Sequence, residues 1–265
     1  MIARIDGRRH PLVVRFRALA EEPDPAGARV LLDGAHLVRE AQVGGQLEVV
    51  AVAASRLDSE TEAGVLAAAL SDAGVEVVAA PDGVFAALSP VRTPSGIVAI
   101  AARRTASAQE LCAPPSVFIL VAVDVQDPGN IGALMRAGEA GGVTGMFVCG
   151  ASANPFSWKA VRGSMGSVLR LPVVAGMTTD EVLSCLRASG VRSVAAVTRG
   201  GMDVDAVNWS GKVAVVLGGE GAGLPDAVVA VCDARVSIPM SPHVDSLNVA
   251  AAGAILVYAA RRQRT

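Results

Sequence analysis

Three short blocks hold the residues whose types and spacing could do chemistry. The first, DVQDPGNIGALMRAGEAGG over 124–142, follows an apolar run and sets Asn130 and Arg136 six residues apart. An amide and a guanidinium can orient a hydroxyl and stabilise developing negative charge. At 100° per residue the two do not share a helix face. Asn130 at the helix start can turn back as a cap; Arg136, one to two turns in, either reaches past it or faces water. The second block, VVLGGEGAGLPDA over 215–227, puts Gly218, Gly219, Gly221 and Gly223 between an apolar run and a helix opened by Pro225. Such glycines let a ligand approach the backbone closely, or simply make a turn. The G-x-G-x-G spacing is not a dinucleotide fingerprint, and without GK[ST] it is not a phosphate loop. Glu220 among the glycines would repel phosphate and suits a cationic or hydroxyl-rich ligand. The third block, SIPMSPHVDSLNV over 237–249, opens a long Ala-rich helix. Ser246 fits an N-cap there, whereas Asn248 in the first helical turn is not explained by capping.

These blocks need strands to position them. From residue 117 the chain alternates apolar runs with helical segments, beginning with VFILVAV at 117–123, a continuous run suited to a strand buried on both faces. Strands at VTGMFVC, LPVV, VRSVAAV and KVAVVLG alternate with helices, which predicts an open parallel α/β sheet. Ligands in such sheets bind beyond the strands' carboxyl ends, where all three blocks fall. Residues 28–102 read as a smaller α/β unit: strands at RVLL, LEVVAVA, VEVVAA and GIVAIAA alternate with helices at AHLVREAQ, 59–74 (capping box Ser59–Glu62) and 81–89. Residues 103–116, with Pro114-Pro115, read as a linker. Residues 1–27, carrying Arg4, Arg8, Arg9, Arg15 and Arg17, read as a basic arm.

Composition narrows the function. The chain has 265 residues, 52% hydrophobic and 18% charged, with a net charge of −2. That excludes a disordered chain and a protein gripping nucleic acid by bulk charge. Only Lys159 and Lys212 among the 23 basic residues are lysines. The basic residues cluster: the five N-terminal arginines, Lys159 with Arg162 and Arg170, and Arg261 with Arg262 and Arg264. Four scattered cysteines and three scattered histidines offer no metal-binding spacing. No signal peptide is read at the start, and the run at 249–260 is too short to span a bilayer, so a cytoplasmic, metal-free protein is expected.

In order and spacing the three blocks resemble the SpoU/TrmH family of S-adenosylmethionine-dependent RNA 2′-O-ribose methyltransferases. Asn130, Gly132 and Arg136 match its first motif. Gly218, Glu220, Gly221, Gly223 and Leu224 match its second. Ile238, Pro239, Met240, Ser246, Leu247, Asn248 and Val249 match its third. Residues 159–173 and 29–102 are similar to further parts of that family, the latter to its accessory substrate-binding domain. Two departures stand out: Pro242 where the family usually has Gly, and Ala250 where it often has Ser.

The resemblance implies a catalytic α/β domain over 117–265 with a deep trefoil knot and a mostly parallel sheet, preceded by a small α/β RNA-binding domain. It implies S-adenosylmethionine held by Leu217, Gly218, Gly219, Gly221, Ile238, Met240, Leu247 and Asn248. Arg136, Asn130, Glu220, Ser246 and Asn248 are the implied catalytic set, with Arg136 as electrostatic stabiliser or proton acceptor. RNA contacts are expected at Arg8, Arg9, Lys159 and Arg162, and a homodimer is implied. The accessory domain favours 23S rRNA as substrate. The alternatives are a tRNA 2′-O-methyltransferase, a noncatalytic RNA-binding or ribosome-assembly module, and a nucleotide-dependent α/β enzyme.

Overall fold

The computed structural model describes residues 2–57 and 60–264. It divides into two compact units. One comprises the chain up to Arg104 together with Phe156–Leu169; the other comprises Thr105–Pro155 and the chain from Arg170 onward.

The first unit holds a five-stranded sheet of β1 (Ala3–Arg4), β2 (Arg29–Asp33), β3 (Leu47–Ala53), β4 (Val77–Ala80) and β5 (Ile97–Ala102), in the order β1-β4-β3-β5-β2. β5 runs antiparallel to both neighbours, so this sheet is mixed. The basic arm read at 1–27 is instead part of this fold. β1 pairs in parallel with β4, and Pro11–Glu21 is a helix that buries Val13 and Phe16 in the same core as Leu31, Val49 and Ile100. Pro11 opens it, and the His10 Nδ1 accepts from the Leu12 N–H at 3.3 Å. Two of the arm's arginines are neutralised locally. Arg15 pairs with Glu48, which also holds Arg29 at 2.9 Å, and Arg17 pairs with Glu21. Ser59 of the expected capping box lies outside the described residues; the helix Glu62–Asp72 is capped by Thr61, whose hydroxyl accepts from the Gly64 N–H.

Phe156–Leu169, read from sequence as part of the second domain, packs into the first unit for a clear reason. Phe156 is fully buried against Gly27, where a Cβ would come within 2.5 Å of its ring. The buried Arg103 stacks on that ring at 4.6 Å and donates to the Val168 carbonyl at 2.8 Å, and desolvation lowers its pKa to about 10.

The second unit is a seven-stranded, wholly parallel sheet. Its strands are β6 (Phe118–Val123), β7 (Gly145–Cys149), β8 (Val173–Ala175), β9 (Arg192–Ala196), β10 (Met202–Asp203), β11 (Val213–Gly218) and β12 (Ala234–Ser237). Their order is β10-β12-β9-β11-β6-β7-β8. β6 lies between β11 and β7 with every residue buried. Its side chains alternate between faces. Ile119, Val121 and Val123 join Val182 and Leu186 of the helix Thr179–Ala188. Leu120 instead meets Gly138 of the helix Pro128–Gly141. The last helix, Val249–Arg264, crosses that helix closely: a Cβ on Gly141 would reach 1.9 Å from Val257, and one on Gly253 would reach 2.4 Å from Leu134. The expected linker at 103–116 is also structured. Ser107 and Glu110 form a capping box for the helix Ala108–Cys112, whose Ala108, Leu111 and Cys112 enter the second core. Among the described residues, no helix is long and apolar enough to cross a membrane, and no cluster of His, Cys, Asp or Glu could hold a metal ion.

The helix at 11–21 is testable as core. Phe16→Ala should cost about 3–5 kcal/mol by urea unfolding; a loss under about 0.5 kcal/mol would return the segment to a solvated arm.

Candidate active site

The parallel strands deliver their following loops to one end of the second sheet. There, the ends of β9, β11 and β12 and the start of the last helix enclose a cavity of about 730 Å³, bordered by apolar Leu217, Ile238, Leu247 and Leu256 and by charged Arg199, Glu220 and Asp245. All eight residues expected at the cofactor, Leu217, Gly218, Gly219, Gly221, Ile238, Met240, Leu247 and Asn248, border it.

A chain of hydrogen bonds ties the three motif loops together. Asn130 donates its amide to the Glu220 carboxylate, and its Oδ1 accepts from the Asn248 Nδ2 at 3.1 Å. The Asn248 Oδ1 accepts from the Ala250 and Ala251 N–H groups at 3.0 and 3.2 Å. Asn248 is therefore the cap of the last helix, a role expected of Ser246; Ser246 borders the cavity with no hydrogen bond among the described residues. Asn130 is not a cap. Asp127 takes that position, its Oδ1 accepting from the Gly129 N–H at 2.6 Å, and Asn130 is free to bridge the other two loops.

Glu220, Ser246 and Asn248 border the cavity; Asn130 and Arg136 do not. Arg136 is exposed, with no hydrogen bond or ion pair among the described residues. Arg8, Arg9, Lys159 and Arg162 are exposed on the first unit. Arg8 donates to the Gly83 carbonyl at 2.9 Å, and Lys159 sits 5.6 Å over the Trp158 ring. Arg162 faces Asp33, whose carboxyl burial raises in pKa while the Ser89 hydroxyl, at 2.6 Å, and Arg162 pull it down. The basic cluster at the chain's end makes exposed contacts within the second unit: Arg261 donates to the Ala140 carbonyl, Arg262 pairs with Asp205, and Arg264 donates to the Gly211 carbonyl. Arg170 likewise pairs with Glu139.

The glycines of the second block serve the backbone first. A Cβ on Gly219 would lie 2.0 Å from the Asp124 carbonyl oxygen, and one on Gly218 would lie 2.2 Å from the Gly223 carbonyl carbon. Gly221, with φ +96°, has open space around its missing side chain. Pro242 is accommodated by a turn in which the Val244 N–H donates to the Ser241 carbonyl at 3.0 Å. Sequence reasoning missed Arg199, Arg235 and Asp245 at the cavity. The available signal was the place of Arg199 just after β9, of Arg235 within β12 and of Asp245 in the loop that follows β12. It also missed Asp124, which has φ +56° at the end of β6. Beneath the site, burial pushes the Cys149 thiol up to about 11, leaving it a protonated packing group.

A parallel α/β sheet with a semi-apolar cavity at its carboxyl edge, and a carboxylate–amide–amide chain at the rim, defines an α/β enzyme with a small-molecule site. The chain belongs to the SpoU rRNA Methylase family, which it matches over residues 117–258. It is 30% identical over 230 residues, 86% of each chain, to 23S rRNA (guanosine(2553)-2′-O)-methyltransferase RlmP of Bacillus subtilis (strain 168). It is similar to the AdoMet-bound rRNA methyltransferase from Sinorhizobium meliloti, with a TM-score of 0.81, 26% identity and 98% of both chains covered. It is also similar to the SpoU methyltransferase AviRb from Streptomyces viridochromogenes in complex with AdoMet, with a TM-score of 0.79, 26% identity, and 96% of this chain and 98% of that one covered.

Two glycine substitutions separate crowding from backbone conformation. Gly221→Ala should cost about 1–2 kcal/mol for its positive φ alone. Gly219→Ala should cost about 1–3 kcal/mol through collision with a main-chain oxygen and should shift β6 against β11. Urea unfolding with amide exchange of residues 124–126 checks both; unchanged exchange in Gly219→Ala would contradict the contact.

Proposed function

We propose that this protein transfers a methyl group from S-adenosylmethionine to a ribose 2′-hydroxyl of RNA, with 23S rRNA as the substrate. The observation that carries this reading is the Glu220–Asn130–Asn248 chain at the rim of the cavity. Family membership and the relative named as a 23S rRNA 2′-O-methyltransferase support it.

The residues present fit the cofactor. A cavity of about 730 Å³ is within the range that encloses a ligand of this size. Leu217, Ile238, Met240 and Leu247 supply apolar walls for the adenine, and Gly218, Gly219, Gly221 and Asn248 present polar backbone beside them. The Glu220 carboxylate suits a cationic neighbour. When bound, S-adenosylmethionine supplies an electrophilic methyl on a sulfonium centre.

The chain's own residues orient the nucleophile. Asn130 and Asn248, locked by their mutual hydrogen bond, form a fixed polar frame with Glu220 and the Ser246 hydroxyl. Preorganised groups of this kind lower a barrier without reorganising. Arg136 has its full donor set free among the described residues, and a guanidinium scarcely loses its proton in a protein. Its role is therefore to stabilise charge building on the 2′-oxygen and to hold the adjacent phosphate, while the hydroxyl proton passes to solvent water as the O–CH3 bond forms and the S–CH3 bond breaks. Arg8, Arg9, Lys159 and Arg162 on the first unit hold the RNA backbone. The exposed Ile255 and Tyr258 of the last helix, at 41% and 49%, are an apolar face for a second copy in a homodimer. The trefoil knot belongs to the same reading, supported by membership of the family. Action on ribosomal RNA supports a cytoplasmic location as part of the same reading.

The test is methyl transfer to 23S rRNA with the product mapped by mass spectrometry, alongside cofactor binding by calorimetry. Arg136→Ala should lower kcat at saturating RNA by about 100-fold or more, with cofactor affinity within about threefold. Near-normal turnover would remove Arg136 from the mechanism. Failure of the wild-type chain to bind S-adenosylmethionine would favour the noncatalytic RNA-binding module.

A further inference from the structure

Asp124 stands at the end of the central strand β6 with a left-handed backbone, φ +56°. Aspartate is one of the few side chains that tolerate this conformation, and tertiary structure must hold it there. Three contacts do so. Its Oδ1 accepts from the Ala151 N–H at 2.6 Å, filling space that Gly150 leaves open; a Cβ there would lie 2.3 Å from that oxygen. Its own N–H donates to the Cys149 carbonyl at 3.3 Å. Its carbonyl oxygen occupies the place of the missing Gly219 Cβ.

The next residue is stitched to the same loop. The Val125 N–H donates to the Ser152 hydroxyl at 3.0 Å, and the Val125 carbonyl accepts from the Ala153 N–H at 2.9 Å. The left-handed turn thus redirects the chain as it leaves β6. The segment is then fastened to the loop after β7 on one side and pressed against the glycine loop after β11 on the other. Five residues later Asn130 meets Glu220.

We propose that Asp124 is a positioning residue: its left-handed backbone and its carboxylate clamp on Ala151 set the height at which Asn130 reaches Glu220 and Asn248. The inference rests on the methyltransferase reading of the site. Asp124 does not border the cavity, and neither does Asn130, so the clamp acts on turnover and not on cofactor affinity.

Three variants separate its two contributions. Asp124→Asn keeps an acceptor oxygen and tolerates the backbone. Asp124→Gly keeps the backbone without the clamp. Asp124→Ala loses both. Asp124→Asn should retain kcat within about threefold. Asp124→Gly should lose about 10–100-fold in kcat, and Asp124→Ala at least as much, since small misplacements of catalytic groups cost on this scale. The affinity and stoichiometry of S-adenosylmethionine binding should stay within about twofold of wild type in Asp124→Gly. In an Asn130→Ala background, Asp124→Gly should cause no further loss, because both act through one group. Amide exchange over residues 125–131 should accelerate about tenfold in Asp124→Gly and not in Asp124→Asn.

The proposal is overturned if Asp124→Gly retains kcat within about twofold. It is equally overturned if kcat falls only in proportion to a loss of cofactor-binding stoichiometry, or if the losses from Asp124→Gly and Asn130→Ala multiply. If the wild-type chain methylates no RNA, the methyltransferase reading fails instead, and the exchange measurement alone decides whether Asp124 holds the loop.

Discussion

The Glu220 carboxylate can only accept hydrogen bonds, so Asn130 must turn its NH2 toward it. That leaves the Asn130 Oδ1 to accept from Asn248, and the Asn248 Oδ1 to face the uncapped N–H groups of the last helix. The orientation of each amide follows from its neighbour. A carboxylate fixes one end of the chain and two backbone donors fix the other. The three loops involved leave β6, β11 and β12, so the polar frame of the site exists only when those strands end at the same edge.

Close packing of backbone makes that convergence possible. Gly219 lets β11 leave the sheet directly against the Asp124 carbonyl, and Gly218 lets the glycine loop fold back on itself, where Gly219 and Gly223 form an isolated bridge. On the face beneath, Gly141 and Gly253 bring the helix carrying Asn130 against the helix capped by Asn248. Glycine is needed in these places because another backbone or side chain already fills the space, while a cofactor would use the apolar and polar wall left facing the cavity. Arginines toward the ends of the chain are engaged by Glu48, Glu21, Asp205 and backbone carbonyls, and so among the described residues a near-neutral protein keeps a small set of unengaged cations that includes Arg9 and Arg136.

Much of this was legible in the residues themselves. The unbroken apolar run at 117–123 marked a strand buried on both faces, and the three motif blocks named the polar groups and the cavity wall. The arm and the linker were misread because charge and proline obscured short amphipathic helices. Val13 and Phe16 in one helix, and Ala108, Leu111 and Cys112 in the other, are too few buried positions to show a period. The mixed direction of the first sheet was also out of reach, since β5 carries the same apolar pattern whichever way it runs.

Local chemistry in the sequence thus determined which side chains could act, because donor and acceptor capacity, glycine's freedom and strand burial are properties of residue type and near neighbours. Tertiary structure alone decided how they are used. It made Asn248 the helix cap in place of Ser246, freed Asn130 to bridge by giving its cap to Asp127, and bent Asp124 into a left-handed turn. It also drew Phe156–Leu169 into the first unit through Gly27 and Arg103. The two caps are local bonds, but the Asn130 bridge, the hold on Asp124 and the docking of Phe156–Leu169 depend on contacts between residues far apart in the chain, and no local spacing encodes which of two eligible groups will find the distant partner.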